Sequence, residues 1–375
     1  MTSVDNFFDI KTDFNIDKEK QKVIDFIDMK KNQDASEVVF YDKYHEIQGC
    51  TGEQFRIGAL KSKLWNENDI SNLKPKVVLV ETREQMDDWR YLIRFTSSFK
   101  NVPSPGRSIK FLVVDETTGK YLGALTVTSD FGDLRGRDLS IGWTREQRYK
   151  GKGLNHIAAG QAIIPIQPFG FNFLGGKLMS LLITSDVIRK AWEEKYGEVL
   201  VGMTTTSLYG TYSQYSRLPN FKKAGKTTGK IPIKLPKEII HLWMDNYLDK
   251  KSIEAKFGQF KKLPQRGIDK MVYKECGMKA KEYETGLQRG VYFCPFYENT
   301  NEFLRKEIEK SSLKLRQDFV DYNKFMMDWW KPKAEKRFEK LKSDKRVITE
   351  LHFWDKLFGL TYEQAKEKYL GEVGR

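Results

Sequence analysis

The stretch that most restricts what this chain can fold into runs from residue 162 to residue 206. An apolar run, Ala162-Ile-Ile-Pro-Ile166, empties into Gln167-Pro-Phe-Gly-Phe-Asn-Phe-Leu-Gly-Gly-Lys177. Helical spacing then continues to about Tyr196, with Leu178, Leu181, Leu182, Ile188 and Trp192 on one side and Gly197 as the C-cap. Val199–Thr206 reads as a second strand. Two strands joined through a helix make a βαβ unit, so part of the sheet is expected to be parallel.

The preceding residues extend the same sheet. Val77–Val80 is a short apolar run suited to a buried strand, and Glu84–Phe95 places Met86, Trp89, Leu92 and Ile93 near helical spacing. Ile109–Val114 and Tyr121–Thr128 flank Asp115-Glu-Thr-Thr-Gly-Lys120, a hairpin turn with glycine where a positive φ is needed. Asp138-Leu-Ser-Ile-Gly-Trp143 reads as a strand end. Residues 1–75 are polar and weakly patterned, with one short amphipathic helix around Val23–Ile27 and the rest loop. After Phe221–Gly229, a basic tail containing glycine, the pattern turns helical over Lys237–Leu248 and Asn301–Lys342, where Pro332 should kink or start a helix. Gly290–Phe296 is one extended piece within that region. The expected architecture is therefore an α/β mixed-sheet core at 76–230, a lead-in at 1–75 and a basic, mainly helical C-terminal domain at 231–375.

Charge narrows the class of partner. The formal net charge is +14, and cations exceed anions in both 76–230 and 231–375, while 1–75 is slightly acidic. Clustered Lys and Arg gain affinity for a polyanion by releasing its counterions, which favours nucleic acid as partner over a merely solvated basic surface; of the nucleic acids, duplex DNA is expected ahead of RNA. No window approaches the ~18 consecutive apolar residues of a membrane helix, and the N-terminus carries Asp5, Asp9, Asp13 and Asp17 instead of a basic-then-apolar leader. A cytoplasmic protein without membrane association is expected. Cys50, Cys276 and Cys294 have neither zinc-ligand nor redox spacing, and the four histidines lie far apart, so no metal is assigned; a sparse His/Asp/Glu site stays open.

Two glycine loops compete for a phosphate-bearing cofactor. Arg148-Tyr-Lys-Gly-Lys-Gly153 matches the Q/R-x-x-G-x-G/A pattern of acyl-CoA-binding acetyltransferases, but its charge (Arg145, Arg148, Lys150, Lys152) suits a nucleic-acid backbone as well. Gly170-Phe-Asn-Phe-Leu-Gly-Gly176 lies directly between a buried strand and a long helix, the position a cradle of backbone N–H groups needs. Gly170, Asn172, Gly175, Gly176 and Lys177 are therefore the candidate cofactor residues, with acyl-CoA or a related small-group donor as the candidate. The same glycines would serve equally well as turn residues. Lys222 and Lys223 join the four cations of the first loop as candidate nucleic-acid contacts. The hydroxyl-rich stretch Thr204–Tyr215 follows the last strong strand, where such groups line a crevice and donate protons or cap backbone. Tyr209, Tyr212 and Tyr215 are the available proton donors, with Tyr212 favoured; Thr205 is a further candidate catalytic residue, and Asp138 the candidate base for an amine, or else a solvated loop carboxylate. Trp329-Trp-Lys-Pro332 and His352-Phe-Trp354 interleave aromatics with cations, a pattern better explained by helix packing than by base stacking.

The succession Tyr121-Leu-Gly-Ala124, Asp138–Trp143, Arg148, Leu154, Ile163-Ile-Pro165, Asn172-Phe-Leu, Ala191-Trp-Glu-Glu-Lys-Tyr-Gly197, Thr204-Thr-Thr and Gly210-Thr-Tyr212 resembles the Druantia A protein family of anti-phage systems over about residues 110–230. That family is in turn similar to the Mom-type DNA-modification proteins of phages, and both look like divergent GNAT folds. The resemblance implies a GNAT-like core that acts on nucleic acid, in a protein of phage or mobile-element origin. The expected function is transfer of an acyl-type or related small group to a DNA base amine. The alternative is a catalytically inert DNA-binding protein that keeps the scaffold.

Overall fold

A computed structural model describes residues 14–100, 104, 106–207, 213–230, 232–248 and 265–373. The helices in chain order are α1 (Ile16–Asn32), α2 (Ala35–Gln48), α3 (Gln54–Ser62), α4 (Arg83–Thr96), α5 (Arg135–Ile141), α6 (Arg145–Tyr149), α7 (Phe169–Asn172), α8 (Gly175–Leu182) and α9 (Asp186–Tyr196). They continue with α10 (Lys237–Asn246), α11 (Gln265–Glu275), α12 (Thr300–Leu304), α13 (Tyr322–Ser343) and α14 (Tyr362–Tyr369). The strands are β1 (Pro75–Leu79), β2 (Ser108–Asp115), β3 (Tyr121–Ser129), β4 (Ile157–Pro165), β5 (Gly202–Ser207), β6 (Lys222–Lys226) and β7 (Gly290–Pro295). None of the described helices is long and apolar enough to cross a membrane.

The chain divides into a smaller unit, Met1–Asp34 with Thr228–Leu287, and a larger one, Ala35–Thr227 with Gln288–Arg375. In the smaller unit α1, α10 and α11 bury Val23, Ile27, Leu235, Ile240, Trp243, Val272 and Tyr273 together. Asn15 starts α1 by accepting from the N–H groups of Asp17 and Lys18.

The larger unit is built on a seven-stranded mixed sheet of order β1-β2-β3-β4-β5-β7-β6. Every neighbouring pair is antiparallel except β4 with β5. The β2–β3 hairpin forms as its sequence dictates: Asp115 accepts from the N–H of Thr117 and the hydroxyl of Thr118, and Gly119 takes φ +70°. Helix α4 opens with a reciprocal cap between Thr82 and Gln85 and lays Trp89, Leu92, Ile93 and Phe95 into the core. Trp89 Nε1 donates to the Leu125 carbonyl of β3, so the helix is fixed to the sheet by a bond as well as by packing.

Four local expectations change. Residues 138–143 do not end a strand, because Arg135–Ile141 is helical, closed by Gly142 at φ +76°, and draws Arg137 wholly out of solvent. The single helix expected up to Tyr196 is two, since Thr184 turns its hydroxyl back to the Leu181 carbonyl and Ser185 begins a new helix at Asp186. Residues 14–75 hold three helices instead of mostly loop. Pro332 does not start a helix but lies inside α13, which continues past it to Ser343. Gly290–Pro295 is extended as expected, and it inserts between β5 and β6.

Candidate functional site

The parallel junction is short, and what happens beyond it shapes the site. Strands β4 and β5 pair only through Ile157–Gly202, Ala158–Met203 and Ala159–Thr204, after which they part. The cause is visible on the other side of β4, where its register with β3 shifts between Thr126 and Val127 and leaves Gln161 as an extra residue. Such a bulge bends the strand that carries it.

Beyond the parting, β4 carbonyls that β5 would have served are met by side chains. Thr205 Oγ1 donates to Gly160 O at 3.1 Å, and Gln214 Nε2 donates to Ile163 O at 2.9 Å. Gln214 Nε2 also reaches the Tyr215 hydroxyl at 3.0 Å, and burial pushes that phenol above its ordinary range. The start of α8 closes on the same segment. A Cβ on Gly176 would lie 2.6 Å from Gln214 Oε1, so only glycine admits this side chain over the first turn of the helix. Lys177 Nζ donates to Ser216 O at 2.7 Å, and its pKa is lowered, first by burial and then by Arg217 nearby. Thr205, Gly176 and Lys177, proposed from sequence for different roles, thus meet around Gln214. Sequence reasoning missed Gln214; its only signal was a place in the Thr204–Tyr215 hydroxyl-rich run.

The other candidate cofactor residues hold the loop together. A Cβ on Gly175 would meet the Phe169 ring at 2.5 Å, and one on Gly170 would meet Gln167 Nε2 at 2.6 Å. Asn172 is buried and exchanges hydrogen bonds with the backbone of Ile348, donating to its carbonyl at 2.7 Å and accepting from its N–H at 3.1 Å. The space beside Gly170 and Gly175 that a pyrophosphate would need is filled by the chain itself, whereas Gly176 faces the end of the Gln214 side chain and Lys177 is held by the backbone carbonyl of Ser216.

Asp138 sits at the centre of a charged cluster. One oxygen accepts from Arg137 Nε at 2.9 Å, Arg137 Nη2 at 2.6 Å and Trp143 Nε1 at 3.0 Å. The other accepts from the Leu134 N–H at 2.9 Å and pairs with Arg148 Nη1 at 2.7 Å. Arg137 also pairs with buried Asp130 at 3.0 Å, which in turn accepts from Thr204 Oγ1 at 2.5 Å. Arg148 reaches Asp133 at 2.9 Å with its remaining terminal nitrogen. With both oxygens engaged by five donors, Asp138 holds a loop and two helices in register and has no vacant lone pair for an amine proton.

Of the candidate nucleic-acid contacts, Arg145, Lys150 and Lys152 are exposed around α6, while Arg148 is largely covered by its carboxylates. Lys222 and Lys223 are exposed on β6, the edge strand, against which α5 packs so closely that a Cβ on Gly136 would lie 2.1 Å from the Ala224 carbonyl. Tyr209 and Tyr212 lie outside the described residues. Trp330 and Trp354 are buried in the core, as packing residues. Among the described residues no group of three or more His, Cys, Asp or Glu is placed to hold a metal ion.

Comparison with known proteins gives one consistent result. The sequence model of a family described as Druantia protein DruA matches residues 53–306, more than half of this chain. A curated protein of that description from Escherichia coli (strain UMEA 4076-1) is 25% identical over 259 residues, which cover 64% of this chain. The match spans 63% of the length of that relative. No solved structure matches.

Proposed function

From the premise that this chain belongs to the Druantia protein DruA family, we propose that it is a transferase of an anti-phage system, moving a small acyl-type or related group to an amine of a DNA base. The sheet is read as GNAT-like and related to the Mom-type modification proteins, a reading supported by its mixed order with a single parallel pair. The observation that carries the proposal is the parting of β4 and β5. There Gly160 and Ile163 turn carbonyls toward the gap and are held by side-chain donors, Thr205 and Gln214, in place of strand pairing. An extended ligand with amide groups can take the place of those donors without breaking the sheet.

A donor of the acyl-CoA type supplies an activated acyl carbon. Its fit to this chain is partial: Gly176, in the first turn of α8, would offer a backbone N–H to a phosphate, and Lys177 its ammonium on leaving the Ser216 carbonyl, while Gly170, Asn172 and Gly175 are spent on packing. Thr205 and Gln214 orient the ligand along β4. Tyr212, five residues after Ser207 in the sequence, donates the proton that the leaving group needs. Arg145, Lys150, Lys152, Lys222 and Lys223 hold the DNA backbone, and the reacting base has to leave its stack to bring an amine to the gap. Asp138 positions the basic loop and takes no proton.

A second reading, a DNA-binding protein without chemistry, is favoured by that same saturation of Asp138, which leaves the acceptor amine without an assigned base. Mass spectrometry of nucleosides from cells expressing the chain separates the two. A new adduct mass supports the transferase. Unmodified nucleosides together with tight DNA binding support the inert protein.

A further inference from the structure

We propose that the exposed rings of Phe131 and Tyr149 form a platform on which unpaired bases of DNA stack. The proposal rests on the nucleic-acid reading above and names the form of DNA that the surface takes. Phe131 is 48% exposed and Tyr149 43% exposed, although Leu134, Ile141 and Trp143 from the same stretch of chain are buried. The stretch thus sends three apolar residues inward and leaves two aromatic rings in solvent, together with the aliphatic side chain of Leu139 at 70% exposure.

The two rings belong to one surface. A Cβ on Gly132 would lie 2.6 Å from the Tyr149 hydroxyl, so glycine at 132 is what lets Tyr149 stand against the residue next to Phe131. The guanidinium of Arg145 lies 5.6 Å and that of Arg148 6.0 Å from the centre of the Tyr149 ring. Arg135, Arg145, Lys150 and Lys152 are exposed around them. The exposed anions of the stretch, Asp133 and Glu146, are each paired with a cation, Arg148 and Lys150.

The support beneath is rigid. Arg137 donates to the Phe131 carbonyl at 2.8 Å while bound to Asp130 and Asp138, so the loop that carries the ring is fixed before any ligand arrives. Aromatic faces flanked by cations are the pairing that single-stranded nucleic acid rewards, since each free base offers a face to a ring and each phosphate a charge to a Lys or Arg. An intact duplex hides its base faces and offers the rings nothing. Charge complementarity and ring exposure together therefore commit the surface to nucleic acid with unpaired bases, and the reading above makes that nucleic acid DNA.

The test measures binding of the full chain to four labelled ligands of one length: single-stranded DNA, the paired duplex, the same strand without bases, and the matching RNA. The wild-type chain is expected to prefer the base-bearing DNA strand. The double variant Phe131→Ala, Tyr149→Ala is expected to lose about tenfold or more in Kd on that strand and little on the duplex or the base-free strand. Tyr149→Phe, which keeps the ring, should bind like the wild type. Equal losses on the base-bearing and base-free strands, an unchanged Kd in the double variant, or tighter binding of RNA than of DNA would each overturn the proposal. Base-dependent binding without any adduct in the nucleoside analysis would leave this surface standing and remove the transferase alone.

Discussion

Replacing Asp138 by Asn tests whether its carboxylate is a clamp. The substitution keeps the size of the side chain and turns one oxygen into an NH2 group. If the remaining oxygen stays with Arg137 and Trp143, the new donor faces two others, the Leu134 N–H and Arg148 Nη1, formerly 2.9 and 2.7 Å from the acceptor. The Leu134 amide sits beside a buried side chain and loses its partner, at a cost of about 1–3 kcal/mol. Arg148 keeps Asp133 but loses a charge-assisted bond worth about 1.5–3 kcal/mol. A net loss of about 3 kcal/mol follows, at the lower end of what breaking a buried pair costs. With a guanidinium slope of about 4 kcal/mol/M the midpoint of unfolding should fall by roughly 0.8 M, read by tryptophan fluorescence. Asp133→Asn is the control, because that side chain is 67% exposed and makes one bond of the cluster, so its midpoint should move by no more than ~0.2 M. An Asp138→Asn protein as stable as the control would refute the clamp and return the carboxylate to the list of bases.

Three further outcomes are expected. Replacing Arg145, Lys150 and Lys152 by Ala should make the slope of log affinity against log salt shallower by up to about three; Arg148→Ala should leave that slope alone and lower stability, because its charge is already met by Asp133 and Asp138. Gly136→Ala should destabilise the larger unit by about 1–3 kcal/mol or more in denaturant titration, since the added methyl would meet the Ala224 carbonyl at 2.1 Å. Asp269 is buried with Oδ1 unpartnered, and burial pushes its carboxyl up to about 7. The folded chain then holds a proton that the unfolded chain has released, so stability should fall as pH rises from about 4 to about 7 and level off above, by up to about 4 kcal/mol. Asp269→Asn should flatten that slope in thermal unfolding measured across the range.

What could be read from sequence was local. The hairpin around Asp115–Lys120, the face of α4 and the strand, loop, helix, strand succession from 162 to 206 each declare themselves by periodicity and turn residues, and their strands pair in the sheet as expected, although the helix between 175 and 196 is broken in two. The helices of residues 14–75 escaped notice partly because their buried faces are not purely apolar. Lys43 is wholly buried in α2, paired with Glu46 and donating to the Arg94 carbonyl, which blurs the pattern. Asp138 looked like a loop carboxylate because Arg137, Trp143, Arg148 and Leu134 converge on it only once α5 and α6 have formed. Gln214 was invisible for a similar reason: the carbonyl it serves, that of Ile163, lies on another strand and is exposed to it only because β4 bulges and parts from β5.

The central claim, that the gap between β4 and β5 is where a group is transferred to a DNA base, is tested most directly by comparing nucleoside mass spectra from cells making the wild-type chain, Gln214→Ala or Tyr212→Phe at equal soluble levels. The account predicts an adduct with the wild-type chain and a loss of roughly 10²–10⁴-fold with Tyr212→Phe, with Gln214→Ala also strongly reduced. An adduct that persists undiminished in both variants, or nucleosides left unmodified by the wild-type chain, would contradict it.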